Sequence, residues 1–367
     1  MLIGFIIVIC MLRIHEKDLI MTTQNKEESN MLSDKRIKIK TIDMHTCGEP
    51  LRIITDGLPV LKGNTILEKR KFFAAHFDHI RTGLMFEPRG HADMYGAVIT
   101  EPSSEGSDFG VFFMHNEGYS TMCGHAIIAI TRYAIESGFV NKEGKNTVLE
   151  IDVPAGRVRS RAHIRDGKVE KVSFLNVPSF LFIQDETIEV RGMGRINFDV
   201  AFGGAFYAFC DADDLGINLD SSDYNKLIDY GKKIKLAVME NFRIEHPFEP
   251  ELSFLYGTIF TGKAYDLDNW SRNVCVFAEG EVDRSPTGTG ISARAGLHYT
   301  KGELGVNQRV TIESILGTTM DVEVKEVLDY GSFKAVIPEV TGKAYYTGSH
   351  EFWIDGDDPL KEGFIFR

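Results

Sequence analysis

The sequence predicts an α+β protein built from two related halves. Short segments with the alternation typical of β-strands fill most of residues 36–367, and only a few segments show helical spacing. Residues 123–138 and 287–302 also match as an internal repeat. Each opens on a small nucleophilic side chain followed by glycine, and each closes on glycine, a common residue just past a helix end. Two related helices of this kind predict one pocket between two similar halves.

The first half is expected to open near Arg36 with two strands around the loop at residues 45–50. An apolar stripe predicts a surface helix over residues 68–85, and the repeat predicts a helix from residue 123 to a stop at Gly138. Glycines separate the later strands. The strands predicted here are 38–42, 51–54, 94–99, 108–114, 147–153, 158–164, 169–176, 188–190 and 196–202.

The second half repeats this order. A second amphipathic helix is predicted over residues 223–241, and the second repeated helix runs from residue 287 to a stop at Gly302. The strands predicted around them are 252–261, 274–277, 309–312, 320–327, 332–336 and 343–352. The C-terminal segment is expected to cross back and complete the first half.

The composition excludes some classes of protein. A net charge of −12 and a pI near 5.4 argue against a nucleic-acid-binding protein. Five widely spaced cysteines do not form a disulfide framework, which favours a reducing, cytoplasmic location. Cys210 and Cys275 lie in apolar runs and are interpreted as core thiols, which leaves Cys123 as the functional candidate.

The N-terminal residues 1–35 are interpreted as a disordered leader. Residues 2–12 are apolar, but they are too few for the ~20 residues that a membrane helix needs, so stable membrane insertion is not expected. A signal peptide or anchor stays open as the weaker alternative.

The reactive side chains are predicted to lie at the starts of the two repeated helices. A helix N-terminus presents unpaired N–H groups and partial positive charge, so it binds anions and stabilises a thiolate. Cys123 is therefore predicted to have a lowered pKa and to act as a nucleophile or general base. Thr287, at the equivalent position, is too weak an acid or base to do the same. The site has the form of a two-base site from which one base has been removed.

Five short motifs occupy residues 43–50, 87–94, 122–125, 202–207 and 283–290. In this order they make the sequence resemble the proline racemase family over about residues 38–367. In racemases and hydroxyproline epimerases of this family both helix starts carry cysteine, whereas the branch that dehydrates trans-3-hydroxy-L-proline has threonine at the second, as Thr287 is here. Cys47 stands where many members have glycine.

The resemblance implies a diaminopimelate-epimerase-like architecture in which each half wraps a sheet around a central helix. We place the first half at residues 36–200, completed by about 335–367, and the second half at 201–334. This architecture often dimerises, so a homodimer is possible.

The resemblance also implies roles for individual residues. Cys123 would abstract the α-proton, and Thr287 would mark the missing second base. Gly124, His125, Gly288 and Thr289 would bind the substrate carboxylate, Asp283 its ring ammonium, and Tyr95 and Phe277 would form aromatic walls. Alternatives stay open: His125 and Thr289 as helix caps, Asp283 as a turn cap, and the aromatic residues as core. His91 and Asp93 would only shape the pocket.

The expected activity is dehydration of trans-3-hydroxy-L-proline, a small imino acid, to pyrroline-2-carboxylate. The alternatives are a hydroxyproline epimerase or proline racemase, which Thr287 disfavours, and a non-catalytic imino-acid binder, which would not need Cys123. No cofactor or metal is expected. The G-x-G-x-x-A pattern at residues 288–293 does not follow a strand, as a dinucleotide site requires, and His76 with His79 has no third ligand.

Overall fold

The computed structural model describes residues 36–366, which form 18 hydrogen-bonded β-strands and five α-helices. The strands are β1 (Arg36–Thr46), β2 (Glu49–Asp56), β3 (Tyr95–Thr100), β4 (Phe109–His115), β5 (Gly118–Ser120), β6 (Asn146–Val153), β7 (Gly156–Arg165), β8 (Lys168–Leu175), β9 (Ser179–Val190), β10 (Gly194–Phe202), β11 (Phe206–Asp211), β12 (Leu255–Gly262), β13 (Ser271–Phe277), β14 (Glu281–Val282), β15 (Arg309–Glu313), β16 (Thr319–Tyr330), β17 (Phe333–Gly342) and β18 (Ala344–Asp355). The helices are α1 (Ile66–Met85), α2 (Gly124–Glu136), α3 (Ala212–Leu215), α4 (Tyr224–Asn241) and α5 (Gly288–Thr300).

Strand pairing follows the same scheme twice. In the first repeat, β1 to β8, β1 pairs antiparallel with β2, β2 parallel with β3, β3 antiparallel with β4, and β4 parallel with β6, before antiparallel β7 and β8. In the second repeat, β10 to β17, the strands β10, β11, β12, β13, β15, β16 and β17 pair in the same order. In each repeat, the two strands of every parallel pair are connected through a helix, which lies in the chain before the second strand of the pair. The predicted α+β fold and the pair of repeated helices are confirmed.

Two strands cross between the repeats. β9 follows the first repeat along the chain but pairs with β10, and β18 follows the second repeat but pairs with β1, from Arg36↔Asp355 to Thr46↔Ala344. β8 and β17 also pair directly. Because the strands form one continuous sheet, pairing alone does not divide the chain, and the predicted boundary near residue 200 stays a prediction.

The apolar core surrounds α2 and α5. Ile127 of α2 and Ile291 of α5 are fully buried and belong to one continuous cluster, while α1 and α4 each cover a separate smaller cluster. A helix that is buried on nearly every side lies at the centre of its sheet. The two central helices therefore sit where the rest of the fold holds their ends in place.

The predicted strands and helices are present, most of them with small shifts at their ends, although β9 and β17 extend well beyond the predicted 188–190 and 332–336. β5, β11, β14 and α3 were not predicted: three of them are two to four residues long, and β11 is apolar up to its last residue, Asp211, and follows a Gly-Gly turn. Cys47 lies in the β1–β2 turn at φ +56°, a conformation that glycine adopts more readily, which accounts for the glycine that many family members have here; nothing in the structure explains the cysteine.

The predictions for residues 1–35 lie outside the described residues. Among the helices of residues 36–366, none is long and apolar enough to span a lipid bilayer.

Candidate active site

The two central helices meet at their N-terminal ends. α2 starts after Cys123 and α5 starts after Thr287. A Cβ atom built on Gly124 would lie 2.7 Å from the Cα of Gly288, and one built on Gly288 would lie 2.7 Å from the Cα of Gly124. The backbones of the two helix ends are therefore in contact, and only glycine fits at both positions.

Both helix ends lack a side-chain cap. Cys123 and Thr287 occupy the N-cap positions, and neither side chain makes a capping hydrogen bond. His125 and Thr289 lie within the first turns, so they are not caps. Apart from the N–H of Ala126, which interacts with the Cys123 thiol, the N–H groups of the two first turns thus converge without side-chain acceptors, an arrangement that favours a bound anion such as a carboxylate. Thr287 also has a φ of +66°, a strained value for threonine.

One small cavity lies at this junction, and all nine residues that the sequence indicated line it. Its volume is about 20 Å³, which is room for about one water molecule. The lining residues are Glu49, Tyr95, Met122, Cys123, Gly124, His125, Tyr207, Tyr256, Cys275, Phe277, Asp283, Thr287, Gly288 and Thr289. No lysine or arginine is among these described residues. A negative group entering the cavity would therefore have to be bound by the helix ends.

Three buried polar atoms around the cavity have no hydrogen-bond partner within residues 36–366: Glu49 Oε1, the Tyr256 hydroxyl and Thr287 Oγ1. The Tyr95 hydroxyl lies close enough to Tyr256 to affect the pKa of Tyr256, and the Thr287 hydroxyl lies close enough to Cys275 to affect the pKa of Cys275. Neither pair has hydrogen-bond geometry. Buried polar groups are nearly always paired in proteins. Three unpaired atoms at one cavity indicate a ligand that would complete them.

The Cys123 thiol lies 3.2 Å from Nδ1 of His125. Burial raises the pKa of Cys123 well above its usual value; the N–H of Ala126 opposes this rise, and the carboxylates of Asp283 and Glu49 add to it. The predicted lowering of the Cys123 pKa is thus wrong, because the cost of burying a thiolate exceeds the effect of the helix end. Burial lowers the pKa of His125, so its ring is neutral at pH 7.

Two carboxyl groups lie at the cavity. Asp283 is 6% exposed, and its Oδ1 accepts the N–H of Ser285 at 2.7 Å, so it caps its turn as well as lining the cavity. Glu49 is fully buried, and its Oε2 accepts the N–H of Arg284 at 2.7 Å. Burial raises the pKa of Glu49 well above its usual value, and the charge of Asp283 raises it further.

Aromatic rings close the sides of the cavity. The ring of Tyr95 meets that of His125 edge-on at 4.8 Å and that of Phe277 at 6.4 Å, and Tyr256 stacks on Phe277 at 5.3 Å. Tyr95 and Phe277 are thus both core residues and cavity walls. The hydroxyls of Tyr207 and Thr289 are 2.7 Å apart.

The sequence interpretation gave no site role to five lining residues. Glu49, Met122 and Tyr207 lie inside the motifs that carried the family resemblance, and that signal could have identified them. Cys275, interpreted as a core thiol, is fully buried and also lines the cavity. The fifth is Tyr256, in β12, and no sequence signal separated it from ordinary core aromatics.

The two residues expected only to shape the pocket lie outside the cavity lining. His91 is exposed. Asp93 is buried, and its Oδ2 lies 2.6 Å from Nη1 of Arg284 and accepts the Tyr224 hydroxyl at 3.1 Å. Asp93 therefore joins the first repeat to the second beside the cavity. Residues 36–366 contain no group of three or more histidine, cysteine or acidic side chains placed to hold a metal.

Comparison with known proteins agrees with this geometry. The proline racemase family model matches residues 41–365. The chain is 51% identical over 331 residues to a trans-3-hydroxy-L-proline dehydratase of Colwellia psychrerythraea, covering 90% of this chain and 93% of the relative. It is 44% identical over 335 residues to the trans-3-hydroxy-L-proline dehydratase of Homo sapiens, covering 90% and 95%.

Solved structures show the same architecture. A hydroxyproline epimerase from Agrobacterium vitis, with bound trans-4-hydroxy-L-proline, superposes with a TM-score of 0.85 at 27% identity, covering 90% of this chain and 95% of that one. A methylitaconate-delta-isomerase, at 13% identity and a TM-score of 0.52, shares the fold. With its family match over most of its length and relatives at this level of identity, the chain belongs to the proline racemase family.

Proposed function

We propose that this protein is a hydro-lyase that removes water from trans-3-hydroxy-L-proline, giving pyrroline-2-carboxylate, with Cys123 as the base. The observation that carries the proposal is the junction of two uncapped helix ends with a thiol on one and only a hydroxyl, that of Thr287, on the other. The relatives named for this activity, at 44–51% identity, support the same substrate.

The lining of the cavity has the chemistry that a zwitterionic imino acid needs, and its walls must move apart to admit one, because the closed cavity has room for about one water molecule. The substrate carboxylate would accept the free N–H groups at the starts of α2 and α5, where two helix dipoles favour negative charge. The ring ammonium would lie beside Asp283, the carboxylate that faces the cavity. The aromatic side chains of Tyr95 and Phe277 would enclose the ring and exclude water, which strengthens these electrostatic contacts.

Substrate binding would also generate the base. Burial raises the pKa of Cys123 most, and the charge of Asp283 adds to that rise. A ring ammonium beside Asp283 neutralises that charge and lies near the thiol, so it lowers the pKa of Cys123. The thiolate would then form where it is needed and remove the α-proton, while the helix ends stabilise the negative charge that develops on the carboxylate.

A second candidate is epimerisation of a hydroxyproline, which the likeness to the Agrobacterium vitis epimerase favours. Epimerisation requires a proton donor on the opposite ring face. That face is expected to meet Thr287, whose hydroxyl is too weak an acid. Dehydration needs no such donor and is therefore the better account of the site.

The test is incubation with trans-3-hydroxy-L-proline, trapping the cyclic imine with an aromatic aminoaldehyde. Native protein should release the imine, and Cys123→Ser should lose it by about 10²–10⁴-fold, the usual contribution of a general base. Cys210→Ser is the matched control, because it makes the same change at a buried thiol outside the cavity. Release of a D-configured epimer without imine would favour the second candidate.

The remaining parts of the proposal concern the setting of the reaction. We propose that it needs no cofactor, since the chain's own groups supply the base and the electrostatic stabilisation. The four cysteines of the described residues are free thiols, which supports a reducing compartment such as the cytoplasm. We also propose that the reaction belongs to amino-acid degradation and that the protein forms a homodimer.

A further inference from the structure

We propose that Glu49 is the acid that protonates the departing hydroxyl, a catalytic role separate from that of the base. This inference rests on the dehydration proposed above. It adds the proton donor for the leaving hydroxyl, a role for which the hydroxyl of Thr287 and the thiol of Cys123 are weak acids.

The position of Glu49 fits the stereochemistry. It opens β2, and the hairpin before it is tied to the first turn of α2, because the Thr46 hydroxyl donates to the His125 carbonyl at 2.8 Å. Glu49 therefore comes from the same repeat as Cys123. In trans-3-hydroxy-L-proline the hydroxyl and the α-hydrogen lie on the same ring face. A base and an acid from one repeat can serve both groups.

The two oxygens of Glu49 have different surroundings. Oε2 accepts the backbone N–H of Arg284 at 2.7 Å, while Oε1 is buried at the cavity without a partner in residues 36–366. The guanidinium of Arg284 lies 2.6 Å from Asp93 and does not bind Oε1. A bare, buried carboxylate oxygen near a second carboxylate is costly. A neutral acid with its proton on Oε1 removes that cost.

The electrostatics agree with the neutral form. Burial raises the pKa of Glu49 and the charge of Asp283 adds to it, while the charge and the N–H of Arg284 oppose the shift without cancelling it. A carboxylic acid is also intrinsically stronger than the thiol that Cys123 becomes after it has taken the α-proton. Glu49 is therefore a better donor to the leaving group than Cys123.

The step balances in protons and electrons. The Cys123 thiolate takes the α-proton, and that electron pair forms the double bond between Cα and C3. The bond between C3 and oxygen breaks as the proton on Glu49 Oε1 moves to the leaving oxygen, which departs as water. Cys123 is left as a thiol and Glu49 as a carboxylate. The enamine that forms tautomerises in solution to the cyclic imine. In the free protein Cys123 is a thiol and Glu49 a neutral acid, so the cycle closes when Glu49 regains from solvent, after product release, the proton that Cys123 gave up to solvent on substrate binding.

The test compares two leaving groups in Glu49→Gln. The substrates are trans-3-hydroxy-L-proline and its 3-fluoro analogue with the same ring-face arrangement, since fluoride leaves without needing a proton. Imine release from the hydroxy compound should fall by about 10²–10⁴-fold, whereas fluoride release should stay within about threefold of native. Cys123→Ser is the control and should lose both reactions, because both need the α-proton removed.

An equal loss on both substrates would assign Glu49 to substrate binding, and an unchanged hydroxy reaction would assign the acid role elsewhere; either result overturns the proposal. Glutamine has the shape of the protonated acid, so the melting temperature should be unchanged. Should Glu49→Gln not fold, Glu49→Asp answers the same question, because a shortened acid should slow the hydroxy substrate more than the fluoro substrate. Failure of the native protein to act on either compound would instead refute the proposed dehydration.

Discussion

Replacing Gly124 with alanine is predicted to disable the site while leaving the fold in place. The added Cβ would lie 2.7 Å from the Cα of Gly288, at least 0.7 Å inside the 3.4 Å at which ordinary van der Waals contact begins, and 3.1 Å from Cζ of Phe174. Both helix ends are backbone and cannot turn aside, so they must separate by most of that overlap. Such overpacking costs about 1–3 kcal/mol of stability. A misplacement approaching 1 Å at the reacting groups costs about 10²-fold in rate.

Gly296→Ala provides the matched control. Its Cβ would lie 2.6 Å from the carbonyl oxygen of Ser179. The substitution therefore strains α5, the helix against which the Cβ at position 124 would also press, but about 12 Å further along the axis than Gly288. The assay is kcat/KM for imine release, with thermal unfolding measured on each variant. Gly124→Ala should lose about 10²-fold in kcat/KM, whereas Gly296→Ala should lose stability with little change in kcat/KM. Equal activity in the two variants would refute the view that contact between the helix ends positions the site.

Four further predictions concern the chemistry. Because the pKa of Cys123 is raised, its thiolate is scarce at pH 7, and inactivation by iodoacetamide should accelerate about tenfold per pH unit well above pH 8; a rate that is already constant from pH 7 would show a low pKa. Asp283→Asn should move that profile to lower pH, since the charge of Asp283 raises the pKa of Cys123. Thr287→Cys places a thiol at the opposite helix end and should produce the D-configured epimer of trans-4-hydroxy-L-proline; chiral chromatography without product above the native background would contradict the one-base description. The cis-3-hydroxy-L isomer, with its hydroxyl on the Thr287 face, should exchange its α-proton in deuterium oxide but release little imine, and NMR showing dehydration as fast as for the trans isomer would exclude a base and acid on one face.

The sequence predicted the parts of the fold that depend on local residue patterns. Alternation located nearly all of the strands, and apolar stripes located α1 and α4, because each of these elements has one face against the core. The match between residues 123–138 and 287–302 predicted the two central helices and the approach of their first turns. The two helix ends do meet, because the two repeats have the same pairing scheme, which brings equivalent ends together at Gly124 and Gly288.

The properties that failed or were missed depend on tertiary surroundings. The pKa of Cys123 was predicted from its helix end alone, but the sign is decided by burial and by carboxylates from β2 and from residue 283. Likewise, Tyr256 and Cys275 reach the cavity only because β12 and β13 pair alongside each other below the start of α5. Nothing in the local pattern of either strand distinguishes a side chain at a cavity from one in the core.

The pairing of β1 with β18 separates the order of synthesis from the order of assembly. β1 pairs with β2 across a turn of two residues. Its other edge pairs only with Ala344–Asp355, about 300 residues later in the chain. At about 5–20 residues per second, a ribosome needs roughly 15–60 s to make that stretch. Throughout this interval the emerging chain exposes a strand edge, and Arg36, Lys38 and Lys40 place positive charges along it, a feature that discourages pairing with other chains. The repeat that is made first is therefore the one whose sheet is finished last.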